Sequence, residues 1–205
     1  MTPERWRFRV AELVLASGSP RRKSLLSDLD VDFIVVPADV DESSLVGEDA
    51  KTYVARVATL KAHTVRESYP NAVVLAADTT VDRDGEILAK PVDAADAAEM
   101  LRSLSGREHF THTAVCVTHG DLVDTVVVST SVTFRCLATE EIDWYVRTGE
   151  PLDKAGAYGI QGRAAAFVSS ISGSVSNVVG LPLAETIGLL RKAGVNAAGT
   201  ARSTD

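Results

Sequence analysis

Arg21 and Arg22 stand side by side directly after Ser17-Gly18-Ser19-Pro20, and that hexad follows the apolar run 13–16. A strand that leaves through small residues into a helix N-terminus offers free backbone N–H groups and the positive end of a helix dipole. Ser17 and Ser19 add hydroxyl donors, and two guanidinium forks match phosphate oxygens. The residues thus describe an anion site at a helix mouth, or else two solvated arginines on an exposed first turn. No Walker-type phosphate loop occurs in the chain.

Other residues bear on the same chemistry. Asp78 closes the apolar run 72–77, which places a carboxylate at the mouth of a buried strand. It is a candidate metal ligand or general base, with a turn cap as the plain alternative. Glu42, in the acidic loop 39–43, is a weaker candidate for a second carboxylate at that mouth. Lys61 lies on or beside the apolar stripe of a helix. It either snorkels at the edge of the stripe or aims into a polar site. Lys90 precedes Pro91, which restrains its backbone. In "DKAGAYGIQG", residues 153–162, three glycines and two alanines allow close approach of a ligand, unless they only shape an irregular turn. Lys154, Tyr158 and Gln161 are the polar groups there, and the Gln161 amide could read a base edge. Together these groups suit a phosphorylated small molecule held through a divalent cation.

The elements that must position them follow from pattern. Run 13–16 reads as a short buried strand, with Ser19 capping a helix that has Pro20 at its first position. A second strand lies in 31–42, running into a polar loop. Helical spacing is strongest over 47–69. Strand 72–81 leads into a hairpin turning at Asp84-Gly85. A helix over 93–104 precedes two long β runs, 108–119 and 121–136, which predict an antiparallel pair. A helix over 138–148 opens with a Thr139 cap, strand 166–171 follows, and "ISGSVSNVVG" reads as a loop. The last helix starts at Pro182 and stops near Gly194. The order predicts an α/β protein with a mixed sheet.

Composition bounds the partners. The chain has 205 residues and a formal net charge of -7, which argues against a nucleic-acid polymer as partner. Cys116 and Cys136 match no zinc spacing and read as buried, reduced core residues. The charged N-terminus, with no long apolar segment after it, argues against a signal peptide or a membrane span, so a cytoplasmic protein is expected. Residues 1–12 read as an N-terminal extension, 13–194 as a single catalytic domain, and 195–205 as a disordered tail.

The motifs "LASGSPRRKSLL", "AADTTV" with "GEILAKP", and "DKAGAYGIQG" with "GLPLAET" resemble the Maf family of nucleotide pyrophosphatases, over about 13–190. The resemblance implies a fold similar to inosine triphosphate pyrophosphatases: a mixed, elongated sheet flanked by helices, with two lobes and a central cleft. It implies a homodimer that hydrolyses nucleoside triphosphates to a monophosphate and pyrophosphate with Mg²⁺ or Mn²⁺. By position it implies phosphate contacts from Ser17, Ser19, Arg21 and Arg22. It implies Glu42 and Asp78 as the acidic, metal-holding pair, with Asp78 as proton acceptor, and Lys61 and Lys90 as basic residues around the triphosphate. Thr79 and Gln161 match positions linked to base recognition. Ala77-Asp78-Thr79 looks like the branch acting on dTTP and UTP, and 5-methyl-UTP and pseudo-UTP would fit the same edge. The branch acting on 7-methyl-GTP tends to carry Ser-Asp-Gln there. Thr80 departs from the family's usual apolar residue. A nucleotide-binding regulator of division or septum formation is the alternative of another class. No serine–histidine–acid set is apparent in the sequence.

Overall fold

The computed structural model describes residues 12–198. The proposed extension therefore lies outside the described residues except for Glu12, as does the proposed tail from 199 onward. Seven strands form one mixed sheet: β1 (Leu13–Leu15), β2 (Phe33–Val35), β3 (Val73–Arg83), β4 (Glu86–Leu88), β5 (Glu108–His119), β6 (Leu122–Phe134) and β7 (Val168–Ser172). The order is β2-β1-β3-β5-β6-β7, with β4 on β3. The β2-β1-β3 part is parallel and all other pairings are antiparallel. The mixed α/β sheet expected from the element order is therefore present.

The strand expected over 72–81 is present as β3, but Asp78 does not stand at its mouth: it lies in the middle of the strand. β5 pairs with β3 without interruption from Val74 to Asp82, so β3 stays extended past Asp78 to Arg83. The opening is made on the other edge. β1 pairs β3 only as far as Leu15↔Leu75, and β4 resumes at Val81↔Leu88. Among the described residues no strand covers that edge over 76–80. Asp78 sits in the middle of this notch.

Helices cover both faces. On one face α1 (Pro20–Ser27) and α6 (Leu183–Lys192) pack Leu25, Leu26, Leu189 and Leu190 against Leu13, Leu15, Val73 and Leu75. Each fully buried leucine contributes about 2 kcal/mol. On the other face α2 (Ala50–Ser68) lays Val54, Val57, Ala58 and Ala62 on Val14, Val74 and Ala76. The far half of the sheet has its own core. There α3 (Ala94–Leu104) and α4 (Thr139–Arg147) close over Val132, Phe134, Tyr158 and Phe167. These cores form the two lobes on either side of the notch.

Several local expectations are corrected. The N-cap of α4 is Ala138, and Thr139 is its first helical residue. An alanine suffices because the Glu141 carboxylate accepts from the Ala138 N–H at 3.0 Å while pairing with Arg135. The small-residue stretch 171–180 contains a helix, α5 (Val175–Val179), capped by Ser174. Cys116 is buried, but Cys136 is exposed, because it follows the end of β6. Part of the expected disordered tail is packed: Val195 and Ala197 are buried, and the Ala198 N–H bonds the Leu29 carbonyl at 3.0 Å.

His109 is a buried titratable group in the core of the far lobe. It is 1% exposed, stands edge-on to Phe134, and bonds the Tyr158 hydroxyl through Nε2 at 2.9 Å. Burial, helped by the Arg107 charge, pushes its pKa down to about 4. Between about pH 6.5 and 4 the unfolded chain binds a proton that the folded one refuses, so stability falls as pH drops through that window. The loss is up to about 3 kcal/mol. In His109→Gln, thermal midpoints measured across the same interval are expected to fall less steeply than in the unaltered protein. An equal slope would locate the acid sensitivity elsewhere.

Candidate active site

The notch opens into a cavity of about 980 Å³. Its wall includes all ten residues singled out from the sequence: Ser17, Ser19, Arg21, Arg22, Glu42, Lys61, Asp78, Thr79, Lys90 and Gln161.

Lys61 answers its own puzzle. The helical spacing of α2 puts it on the buried stripe, three residues after Ala58, and at the notch that stripe meets polar groups instead of core. Its Nζ lies 2.8 Å from Asp78 Oδ1 and 2.8 Å from Glu42 Oε1. Lys61 is 6% exposed and Asp78 5%. Burial raises the Asp78 pKa, opposed by the charges of Lys61 and Arg22. Glu42 is half-buried. Burial pushes its pKa up, but the hydrogen bond and charge of Lys61, with Lys90 and Arg22 behind it, bring the net shift below the usual range. The acidic loop is tied to α2: Tyr53 Oη donates to the Glu42 carbonyl at 2.9 Å, and Arg56 holds Glu48 and the Ser43 carbonyl. The Tyr53 hydroxyl is pushed up to about 12, by burial first and then by Asp78 and Glu42.

Asp78 Oδ2 is buried and has no hydrogen-bond partner among the described residues. No cluster of three or more His, Cys, Asp or Glu able to hold a metal occurs among those residues. Two carboxylates, one with an orphaned oxygen, do not make an all-protein cage. They do fit a hard cation shared with substrate phosphates.

The two arginines behave differently. Arg22 is built into the wall. Nε donates to the Gly180 carbonyl at 2.8 Å, Nη1 to Ser17 Oγ at 3.2 Å, and Nη2 to Thr79 Oγ1 at 2.9 Å. Gly180, with φ of 119°, lets α5 end against this guanidinium, and a Cβ there would press on Thr79 Oγ1. Arg21 instead crosses the cleft to Asp153 Oδ2 at 3.0 Å. Ser19 caps α1 through the Arg22 N–H, as expected. Lys90 is exposed and lines the same cavity, and its charge reaches Glu42.

Of Lys154, Tyr158 and Gln161, only Gln161 is exposed. Lys154 Nζ bonds the Glu150 carbonyl and Asp153, and Tyr158 is buried against His109. The turn is clamped by residues that sequence reasoning missed. Tyr145 Oη accepts from the Gly159 N–H at 3.1 Å and donates to Glu150 Oε1 at 3.0 Å. Glu150 Oε1 also accepts from the Arg163 N–H at 3.1 Å. A Cβ at Gly162 would overlap the Glu150 carboxylate. Helical spacing puts Tyr145 on the buried face of α4 with Ile142, but no local pattern marks its hydroxyl's partners or Glu150. Asp153 was visible in the run but not its pairing with Arg21. The structure also gathers a serine–histidine–acid set that the sequence hid. His112 Nδ1 lies 2.8 Å from Ser129 Oγ and Nε2 lies 3.4 Å from Asp82. These residues sit on three adjacent strands and do not line the cavity.

A mixed sheet notched beside a buried carboxylate, walled by cationic groups and faced by a small-residue turn, makes this an α/β protein with a cleft whose charges suit an anionic ligand. The sequence comparison is more specific: the model for Maf-like protein matches residues 12–193, and the chain belongs to the Maf family. A Myxococcus xanthus (strain DK1622) protein is 54% identical over 183 residues, covering 89% of this chain and 93% of that protein. One from Anaeromyxobacter dehalogenans (strain 2CP-C) is 58% identical over 187 residues, covering 89% and 94%. One from Symbiobacterium thermophilum is 50% identical over 183 residues, covering 89% and 94%. All three are named dTTP/UTP pyrophosphatase. The Staphylococcus aureus Ham1 protein aligns with a TM-score of 0.41 at 20% identity, over 60% of this chain and 70% of that one.

The buried charges give a stability prediction. Lys61→Met leaves Asp78 without its ion partner and is expected to cost about 3–5 kcal/mol in chemical unfolding at neutral pH. Adding Asp78→Asn should recover much of that loss, because the stranded charge is gone. Simply additive losses would mean that the pair is not energetically coupled.

Proposed function

We propose that this protein hydrolyses dTTP and UTP between the α- and β-phosphates, releasing pyrophosphate, and that a divalent cation such as Mg²⁺ or Mn²⁺ assists. The observation that carries the reading is the Lys61-bridged pair Asp78 and Glu42 facing Arg21 and Arg22 across one cavity. The names of the relatives supply the substrate class.

The chain's own groups have distinct tasks. Arg22, fixed by three hydrogen bonds, presents a preset positive charge, while Arg21 leaves Asp153 to meet phosphate oxygens. Lys90 and Lys61 stabilise charge as the bond to the β-phosphate breaks. Asp78 Oδ2, without a partner of its own, takes the proton of the attacking water. Its raised pKa makes it a better base than an ordinary aspartate. Asp78 and Glu42 would hold the cation, which neutralises phosphate charge and lowers the pKa of water. Gln161 reads the base through its amide, and Thr79 stands beside Arg22 as a second base contact. Modified uracil nucleotides such as 5-methyl-UTP and pseudo-UTP would fit the same edge. The working form is a homodimer in the cytoplasm. Among the described residues no helix is long and apolar enough to cross a membrane.

The test is pyrophosphate release with Mg²⁺ or Mn²⁺ across dTTP, UTP, CTP, ATP, GTP and 7-methyl-GTP. Turnover is expected on dTTP and UTP, and Asp78→Asn should lower it by at least about a hundredfold while folding normally. Gln161→Ala should flatten the preference among bases more than it lowers turnover. Near-normal turnover in folded Asp78→Asn would sink the base assignment, and a preference for 7-methyl-GTP would keep the chemistry and discard the pyrimidine reading.

A further inference from the structure

Behind Thr79 lies a chain of hydroxyls whose direction can be worked out. Thr113 is fully buried and its Oγ1 lies 2.9 Å from the Asn177 carbonyl. A carbonyl only accepts, so Thr113 must donate to it, and that uses its single proton. Thr79 Oγ1 lies 2.9 Å from Thr113 Oγ1. With the Thr113 proton committed, Thr79 must be the donor in that pair. Arg22 Nη2 then donates into Thr79 Oγ1 at 2.9 Å. The Thr79 hydroxyl has spent its proton and one lone pair inside the protein. Thr79 lines the cavity, and its hydroxyl has only a lone pair left to offer there.

The end of the chain is held rigidly. Asn177 is 0% exposed, and its amide donates to the Thr111 carbonyl at 3.0 Å and to Thr130 Oγ1 at 2.9 Å. Thr130 in turn donates to the Ser174 carbonyl at 3.2 Å. The Asn177 carbonyl therefore cannot swing away and release the Thr113 proton without unmaking buried bonds.

We propose that Thr113 is a positioning residue for base selection: by locking Thr79 as an acceptor, it makes the site favour a ring N–H over an unprotonated ring nitrogen, and so uracil and thymine over cytosine. This rests on the proposed reading that Thr79 meets the base. Uracil and thymine carry a proton on N3 where cytosine carries a lone pair. Two lone pairs facing each other in a partly buried site leave both unsatisfied. The Gln161 amide cannot make this distinction alone. It is exposed, and by turning over it can present either its oxygen or its nitrogen.

The experiment measures kcat/KM for UTP and CTP in the unaltered protein, Thr113→Val and Thr113→Ser. Thr113→Val keeps the shape and frees the Thr79 proton to turn toward the base. Its UTP-to-CTP ratio is expected to fall about tenfold or more, mainly because CTP improves. Thr113→Ser keeps the proton relay and should keep the ratio. An unchanged ratio in Thr113→Val, or an equal fall in Thr113→Ser, overturns the proposal while leaving the proposed activity standing. An unaltered protein that hydrolyses CTP as well as UTP overturns the preference for uracil and thymine and the proposal with it. If Thr113→Val does not fold, 3-methyl-UTP decides on the unaltered protein. It keeps both carbonyls and lacks the N3 proton, so a loss of about tenfold or more against UTP supports the acceptor assignment, and retention overturns it.

Discussion

One ammonium group between two carboxylates is the constraint on which the cleft depends. Lys61 Nζ touches both Asp78 and Glu42 at 2.8 Å, and two of the three residues are almost wholly buried. Burying a charge without a partner costs several kcal/mol, so neither Asp78 nor Lys61 could occupy its place alone. The arrangement fixes the register of α2 against β3, because a one-residue slip would turn Lys61 off the buried stripe. It also fixes the acidic loop, whose Glu42 closes the set and whose backbone is held by Tyr53. In the proposed reaction a triphosphate would meet Lys61, Asp78 and Arg22 already desolvated and held in place, so little reorganisation of these groups would remain.

The sheet supplies the opening by pairing unevenly. A strand needs only one complete partner to remain extended, and β5 is that partner for β3. The other edge can therefore be left uncovered between β1 and β4 without loss of the strand. Parallel and antiparallel halves meet at this gap, each with its own core, so the cleft lies where two packed bodies share one continuous strand. Asp78 and Thr79 are consecutive on that strand and face opposite sides of the sheet. One points to α2 and the acidic loop, the other to Arg22 and α5. The strand's alternation thus separates the group that would handle the proton from the group that would meet the base.

Much of this was legible in the sequence because it rests on local rules. Ser19-Pro20 marks the start of α1, Asp84-Gly85 marks the hairpin, and the stripe around Val57 and Ala62 marks the buried face of α2. A lysine on that stripe could be noticed, since apolar spacing and charge conflict there. The partners it would meet could not be counted from pattern, because Glu42 and Asp78 come from other elements. The same reason hid the clamp of Tyr145 and Glu150 and the set of Asp82, His112 and Ser129: each joins residues by register or by loop packing. Asp78 reads as the mouth of its strand because an apolar run stopping at a carboxylate looks like a boundary, although the strand itself runs on. Hydrogen bonding to β5 continues regardless of which side chains it carries. Part of the tail, small and polar in composition, packs because Val195 and Ala197 fill the space beside α6.

The cleft combines fixed and adjustable hydrogen-bonding groups. Arg22 has three bonds to the protein and Thr79 has two, so neither can change what it offers. Arg21 and Gln161 are the opposite case, one held by a single exchangeable carboxylate and the other exposed on a clamped turn. Adjustable groups give affinity for a range of ligands, because they rotate to suit whatever arrives. Discrimination needs a group that cannot rotate, since only such a group leaves a wrong partner unsatisfied. The buried carbonyl of Asn177 is where this rigidity originates, two hydroxyls away from the cavity. In the proposed reading, a backbone acceptor two hydroxyls behind the cavity thereby decides which edge of a base is accepted.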